Sequence, residues 1–190
     1  MSLNLEICAH LYAYTAQQPD VEPSDLLETI FSDLAAAGYA GVEIFNGVVN
    51  RLDGSAYALD KWDMLLGGGR RIWGFANDDS HWGAVESGLG WNVAYVRERS
   101  VRGVVEALRQ GRFYASTGVA IRRIHVNGTR VRVEAEQAER IVALRDVGRR
   151  FETVDRDWIE VEAPADARYI RFECWGRGET RAWTQPFFVQ

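Results

Sequence analysis

Asp79 and His81 stand two residues apart in Ala76-Asn77-Asp78-Asp79-Ser80-His81, directly after an apolar run at residues 71–76. A carboxylate and an imidazole at that spacing converge on one cation when the chain turns between them. Aspartate offers an oxygen and neutral histidine a nitrogen, the donor mixture that suits Zn, Mn or Fe. The triplet alone is not diagnostic, because loop aspartates beside incidental histidines also cap backbone amides. His10 follows another short apolar run, at residues 5–9. The chain has three histidines, and two of them end predicted strands of one segment. That coincidence points to a shared metal site of His10, Asp79 and His81. His125, on an alternating run, is read as structural. Glu43 is a charge inside the apolar run Gly41-Val42-Glu43-Ile44-Phe45-Asn46-Gly47. Burying it unpaired is costly, so it is expected to face a polar cavity or to pair with Arg70 or Arg71. Glu43 and Asn46 are assigned supporting roles rather than direct ligation.

The elements that must hold these residues fall into two segments. In residues 1–118, short strands at 5–9, 41–45 and 71–76 alternate with helices. The first helix opens at Pro23 and Ser24 and carries Leu26, Leu27, Ile30, Phe31 and Leu34 on one face. Further helices are predicted over 57–66 and 100–110, the latter with Val101, Val104, Val105 and Leu108 as its apolar face. This order predicts parallel strands flanked by helices, with sites at the carboxyl ends of the strands. Residues 119–190 switch to a period of two. Asn127-Gly128 is a hairpin signal between 121–126 and 129–134, and Val131 and Val133 alternate with Arg130 and Arg132. Runs at 141–144, 158–161, 170–174 and 183–189 extend this into a small antiparallel β-sandwich. The boundary is placed near Ser116-Thr117-Gly118. The first segment offers few βα units, so an open sheet edge completed by another copy of the chain is an expected option.

Composition narrows the classes. A hydrophobic share of 47% with 26% charged residues argues for a folded chain rather than a disordered one. No apolar run reaches the length needed to span a bilayer, and no signal peptide is recognised at the amino terminus. Cys8 and Cys174 cannot form a disulfide framework, so a reduced, cytoplasmic setting is expected. Up to Gly118 the chain holds nine basic and fifteen acidic residues; beyond it, thirteen and twelve. Neither part carries a nucleic-acid footprint, and the acidic one suits a cation. Gly67-Gly68-Gly69 lacks the Lys-Ser/Thr of a phosphate-cradling loop, and there is no Gly-x-Ser-x-Gly elbow.

Taken in order, Ile7-Cys8-Ala9-His10, Gly41–Gly47 and Ala76–His81 resemble the later half of the PHP (polymerase and histidinol phosphatase) family of metal-dependent phosphoesterases. Glu106–Gly118 looks like the segment closing that domain in members with a C-terminal β-sandwich. Tyr169-Ile170-Arg171-Phe172-Glu173 and Ala182-Trp183-Thr184-Gln185-Pro186 look like the last two sandwich strands. The resemblance implies an α/β plus all-β architecture, a partial (β/α)7 barrel over 1–118 followed by a β-sandwich over 119–190. It implies His10, Asp79 and His81 as ligands of a divalent metal, with Asp79 also orienting the attacking water. The substrate class would be a phosphorylated small molecule, hydrolysed by metal-bound hydroxide.

The family's amino-terminal His-x-His and the ligands that normally come after it are missing from this sequence. Three ligands hold one ion rather than a cluster. The chain is therefore expected to behave as an amino-terminally truncated or degenerate member with little activity of its own. A non-catalytic binding module, favoured if Trp158, Trp175 or Trp183 lie exposed at a rim, and a subunit completed in trans are the alternatives.

Overall fold

A computed structural model describes residues 40–52, 54–81 and 86–189 of the 190-residue chain. The strand and helix expected before residue 40, and with them Cys8 and His10, lie outside the described residues. Strands β1 (Gly41–Asn46) and β2 (Trp73–Asn77) pair in parallel. Between them run a short helix α1 (Gly47–Arg51) and a longer one, α2 (Leu59–Gly67). Strands β3 (Trp91–Ala94) and β4 (Phe113–Ser116) flank helix α3 (Val101–Arg109), whose Ser100 cap accepts the Gly103 amide at 3.1 Å. The rest is β: β5 (Ala120–Asn127), β6 (Arg130–Glu136), β7 (Ala138–Arg145) and β8 (Arg149–Val154). Next come β9 (Trp158–Glu162), β10 (Tyr169–Gly176), β11 (Arg181–Thr184) and β12 (Phe187–Phe188).

The largest sheet has the order β3-β4-β11-β10-β7-β8, with β12 also on β10, and its ladders are antiparallel. A second antiparallel sheet runs β5-β6-β9. This overturns the expected partial (β/α)7 barrel followed by a small sandwich. Among the described residues the chain is mainly β, with three helices and a single parallel ladder. After β2 the chain does not add another parallel strand. β3 turns to pair antiparallel with β4, and β4 hydrogen-bonds to β11, so strands on either side of Gly118 share one sheet.

Burial explains why that sheet is central. β10 does not alternate between core and solvent, because both its faces are covered. Ile170, Phe172 and Cys174 pack on one side with Val131, Val133 and Ile159 of the three-stranded sheet. On the other side Tyr169, together with Trp183 of β11, joins Ile44, Trp62 and Leu66 from β1 and α2. The three-stranded sheet and the β1–β2/α2 layer therefore sandwich the large sheet.

The edge of β2 facing away from β1 is closed by side chains. Gln185 accepts from the Gly74 amide (2.9 Å) and donates to the Gly74 carbonyl (2.8 Å). Asn92 does the same at Ala76, at 3.1 and 2.8 Å. Each side-chain amide takes the place of a neighbouring peptide, satisfying backbone groups that burial would otherwise leave unpaired. No helix among the described residues is long and apolar enough to cross a membrane.

Candidate functional site

Because β1 and β2 are parallel, their carboxyl ends lie side by side, with Asn46 opposite Asn77. A bulge between Glu43 and Phe45 interrupts the register. In a regular strand, residues three apart point to opposite faces. The extra residue returns Glu43 and Asn46 to the same face, the re-aiming that bulges supply.

Asn46 is the hub of this rim. Its Nδ2 donates to Glu43 Oε2 at 3.0 Å and to Asp79 Oδ2 at 3.1 Å. Its Oδ1 accepts the Val49 amide at 2.9 Å, capping α1. The side chain is buried, with both amide hydrogens donated and the carbonyl oxygen accepting. Asn77 Nδ2 donates to Glu43 Oε1 at 2.8 Å. Both carboxylate oxygens of Glu43 are thus taken by amides. The expected pairing with Arg70 or Arg71 gives way to these partners, because those arginines precede β2 at its other end. Arg71 lies over the Phe188 ring, 4.7 Å from its centroid.

Asp79 follows β2 with a backbone φ of 57°. Aspartate tolerates this left-handed conformation better than most side chains, and the turn aims its carboxylate back at Asn46. The other oxygen, Oδ1, lies 3.9 Å from His81 Nε2, with the two side chains 36% and 61% exposed. The His81 amide donates to Glu86 Oε2 at 2.7 Å, tying the loop to residues further along the chain.

Asp78 carries a role that sequence reasoning missed. Its carboxylate accepts the amides of Gly88, Leu89 and Gly90 at 3.0, 2.6 and 2.9 Å, and its carbonyl accepts Val48 N–H of α1 at 3.0 Å. Partial burial works against the charged form of Asp78, but the three amides outweigh it and hold the pKa below the ordinary carboxylate value. Two adjacent aspartates in the sequence gave no sign of which would bind amides and which would stay open.

The rim gathers Glu43, Asn46, Asn77, Asp79 and His81. Two carboxylates share one amide group there, concentrating negative charge that a cation would offset. Ligands of a tetrahedral zinc about 2.0–2.2 Å from the ion stand roughly 3.4 Å apart. The Asp79 and His81 donor atoms, 3.9 Å apart, stand a little wider than that separation. Among the described residues no group of three or more His, Cys, Asp or Glu side chains could hold an ion. Of the three expected ligands, Asp79 and His81 lie together at the rim, and His10 lies outside the described residues.

Elsewhere, His125 is exposed on β5. Trp183 is fully buried, and Trp158 and Trp175 are half-buried beneath guanidinium groups. No family model matches the chain, and no curated protein or solved structure proves significantly similar to it.

Proposed function

We propose that this chain is the carboxyl-terminal part of a metal-dependent phosphoester hydrolase, with Asp79 and His81 as metal ligands at the rim of β1 and β2. The observation that carries the reading is the asymmetry of Asp79. One oxygen is anchored by a buried amide, while the other faces an exposed imidazole nitrogen at 3.9 Å. That is how a carboxylate is held when its free oxygen must meet an ion in a fixed direction. The order of the sequence motifs from Ile7 to His81 supports the reading independently.

A divalent ion held there supplies a Lewis acid for phosphoryl oxygens and lowers the pKa of water. The chain's own residues do the positioning. Asn46 fixes the Asp79 carboxylate, and Glu43 and Asn77 fix Asn46 and the strand ends. His81 offers Nε2 in its neutral form. Glu43, with both oxygens engaged, stays out of direct ligation. The substrate class is a phosphorylated small molecule, and activity of this chain alone is expected to be low because the His-x-His motif of the family it resembles is missing from this sequence.

Titration of the metal-free protein with Mn2+ or Zn2+, alongside p-nitrophenyl phosphate hydrolysis, tests the reading. Uptake of one ion, weakened about tenfold or more by Asp79→Asn or His81→Ala, is expected. No uptake by the wild type, or uptake indifferent to both substitutions, overturns it.

A further inference from the structure

A cleft of about 470 Å3 opens at the opposite end of β2 from the rim, where the β2 layer, the end of α3 and the β5 strand meet. Trp73 begins β2 and Asn77 ends it, so the cleft and the rim are about 13 Å apart along the strand. Its volume falls in the range of small-molecule sites, and junctions between layers are where such sites form.

Its walls divide by chemistry. Trp73, Tyr95 and Phe187 supply ring surfaces, and Arg112, Arg122 and Arg123 supply guanidinium groups. None of the lining residues is acidic, in a chain whose net charge is −5. Arg112 is held in place: its Nε donates to Gln110 Oε1 at 2.9 Å, its Nη1 to the Tyr95 carbonyl at 3.2 Å, and its Nη2 lies 3.5 Å from Glu106. Arg122 pairs with Glu136. Arg123 stands opposite Glu134 in the β5–β6 ladder and feels its charge, without a close ion pair among the described residues.

The backbone explains how two consecutive arginines reach one cleft. In a regular strand Arg122 and Arg123 would point to opposite faces, driving one into the core between the sheets. The register of β5 against β6 shifts between Ile121 and Arg123, a bulge that leaves both arginines exposed while Ile121 stays buried. Gly111, on the cleft wall, has a φ of +68°, and a Cβ there would sit 2.7 Å from the Trp73 ring. Only glycine lets the chain leave α3 so close to that indole.

We infer that this cleft binds a phosphorylated aromatic compound of mononucleotide size, its ring against Trp73, Tyr95 and Phe187 and its phosphate among Arg112, Arg122 and Arg123. Planar guanidinium forks suit phosphate oxygens, and aromatic faces suit a flat base. This site is independent of metal chemistry at the rim.

Calorimetric titration of the full chain with AMP, in a buffer containing a chelator, tests it, with adenosine and ribose 5-phosphate as partial probes. AMP is expected to bind, and each partial probe to bind at least tenfold more weakly. The double variant Arg122→Ala/Arg123→Ala should lose at least tenfold in AMP affinity with an unchanged circular dichroism spectrum. Asp79→Asn should bind AMP as the wild type does. No heat at millimolar AMP, ribose 5-phosphate matching AMP, or an undiminished double variant overturns the inference. Loss of binding in Asp79→Asn also overturns it, by moving the ligand to the rim. If the double variant fails to fold, the Trp73 indole N–H resonance of the wild type decides: it should shift on AMP addition, and a stationary signal overturns the inference.

Discussion

The Arg171 guanidinium grips the Asp63 carboxylate with two hydrogen bonds, Nε to Oδ1 at 2.7 Å and Nη2 to Oδ2 at 2.5 Å, where both side chains are buried. The pair joins β10 to α2, and so joins the large sheet to the layer that carries the rim. Two further groups join the pair. Arg171 Nη1 donates to Glu173 at 2.8 Å, and the Tyr169 hydroxyl donates to Asp63 Oδ1 at 2.8 Å. Burial alone would push the Arg171 pKa down, but the Asp63 hydrogen bonds and the Glu173 and Asp63 charges outweigh it and raise it. The guanidinium therefore stays charged throughout the ordinary pH range.

Removing one partner strands a charge in the interior. Asp63→Ala is expected to cost about 3–5 kcal/mol, the usual penalty for breaking a buried pair from one side. Urea unfolding measures it; a loss under about 1 kcal/mol would mean that the layers are held together by apolar contact alone.

Asn46 has two separable duties. Asn46→Ala removes both, the α1 cap, worth about 0.5–2 kcal/mol, and the amide donor to Glu43 and Asp79. Asn46→Asp keeps a capping oxygen but replaces the donor with a third carboxylate. The aspartate variant should therefore retain more of the cap while destabilising the rim without metal, and added Mn2+ should recover part of that loss. Thermal melts with and without metal distinguish them, and identical responses from both variants would count against the assigned duties.

Asp78 gives the loop an acid-sensitive anchor. Its folded pKa lies below its ordinary value, so its contribution to stability is complete above about pH 4 and fades as pH falls through the lowered folded value. The stability gap between wild type and Asp78→Asn should narrow on acidification from about pH 6 to pH 2.5. In the variant, the Gly88, Leu89 and Gly90 amides should exchange faster with deuterium. A gap constant with pH contradicts this account.

Cys174 is buried in the core, and burial, with the Glu173 charge beside it, pushes its thiol pKa up. The thiolate is the reactive form, so Cys174 should resist iodoacetamide in the native protein and react only after denaturation. Mass spectrometry of its peptide reads this directly.

Residue periodicity carried much of the second segment. Val131, Val133 and Ala135 are buried as the alternation of β6 requires. The hairpin is displaced by one position: Asn127 pairs with Arg130, leaving Gly128 and Thr129 as the turn, with Gly128 at a φ of +60°. The last predicted run divides into β11 and β12 around Pro186, which cannot donate to a ladder. β3, β4 and β8 were not legible, because short strands such as Arg149–Val154 acquire their state from neighbours rather than from pattern. On α3 the expected apolar stripe is covered only in part: Val105 and Leu108 are half-buried, Val101 and Val104 are exposed, and Ala107, outside the stripe, is the buried residue. At the rim, Asp79 and His81 were readable from residue type and Asn46 only as support. Its central place depends on the β1 bulge, which nothing in Gly41–Gly47 announces.

The two side-chain amides along β2 have an effect reaching beyond this one molecule. A flat, unguarded strand invites another polypeptide to zip alongside it, the route by which folded chains recruit copies of themselves into ribbons. Gln185 and Asn92 already occupy the Gly74 and Ala76 groups that such a visitor would need. Any newcomer must first evict both, and each eviction leaves an amide side chain seeking a new partner inside the fold.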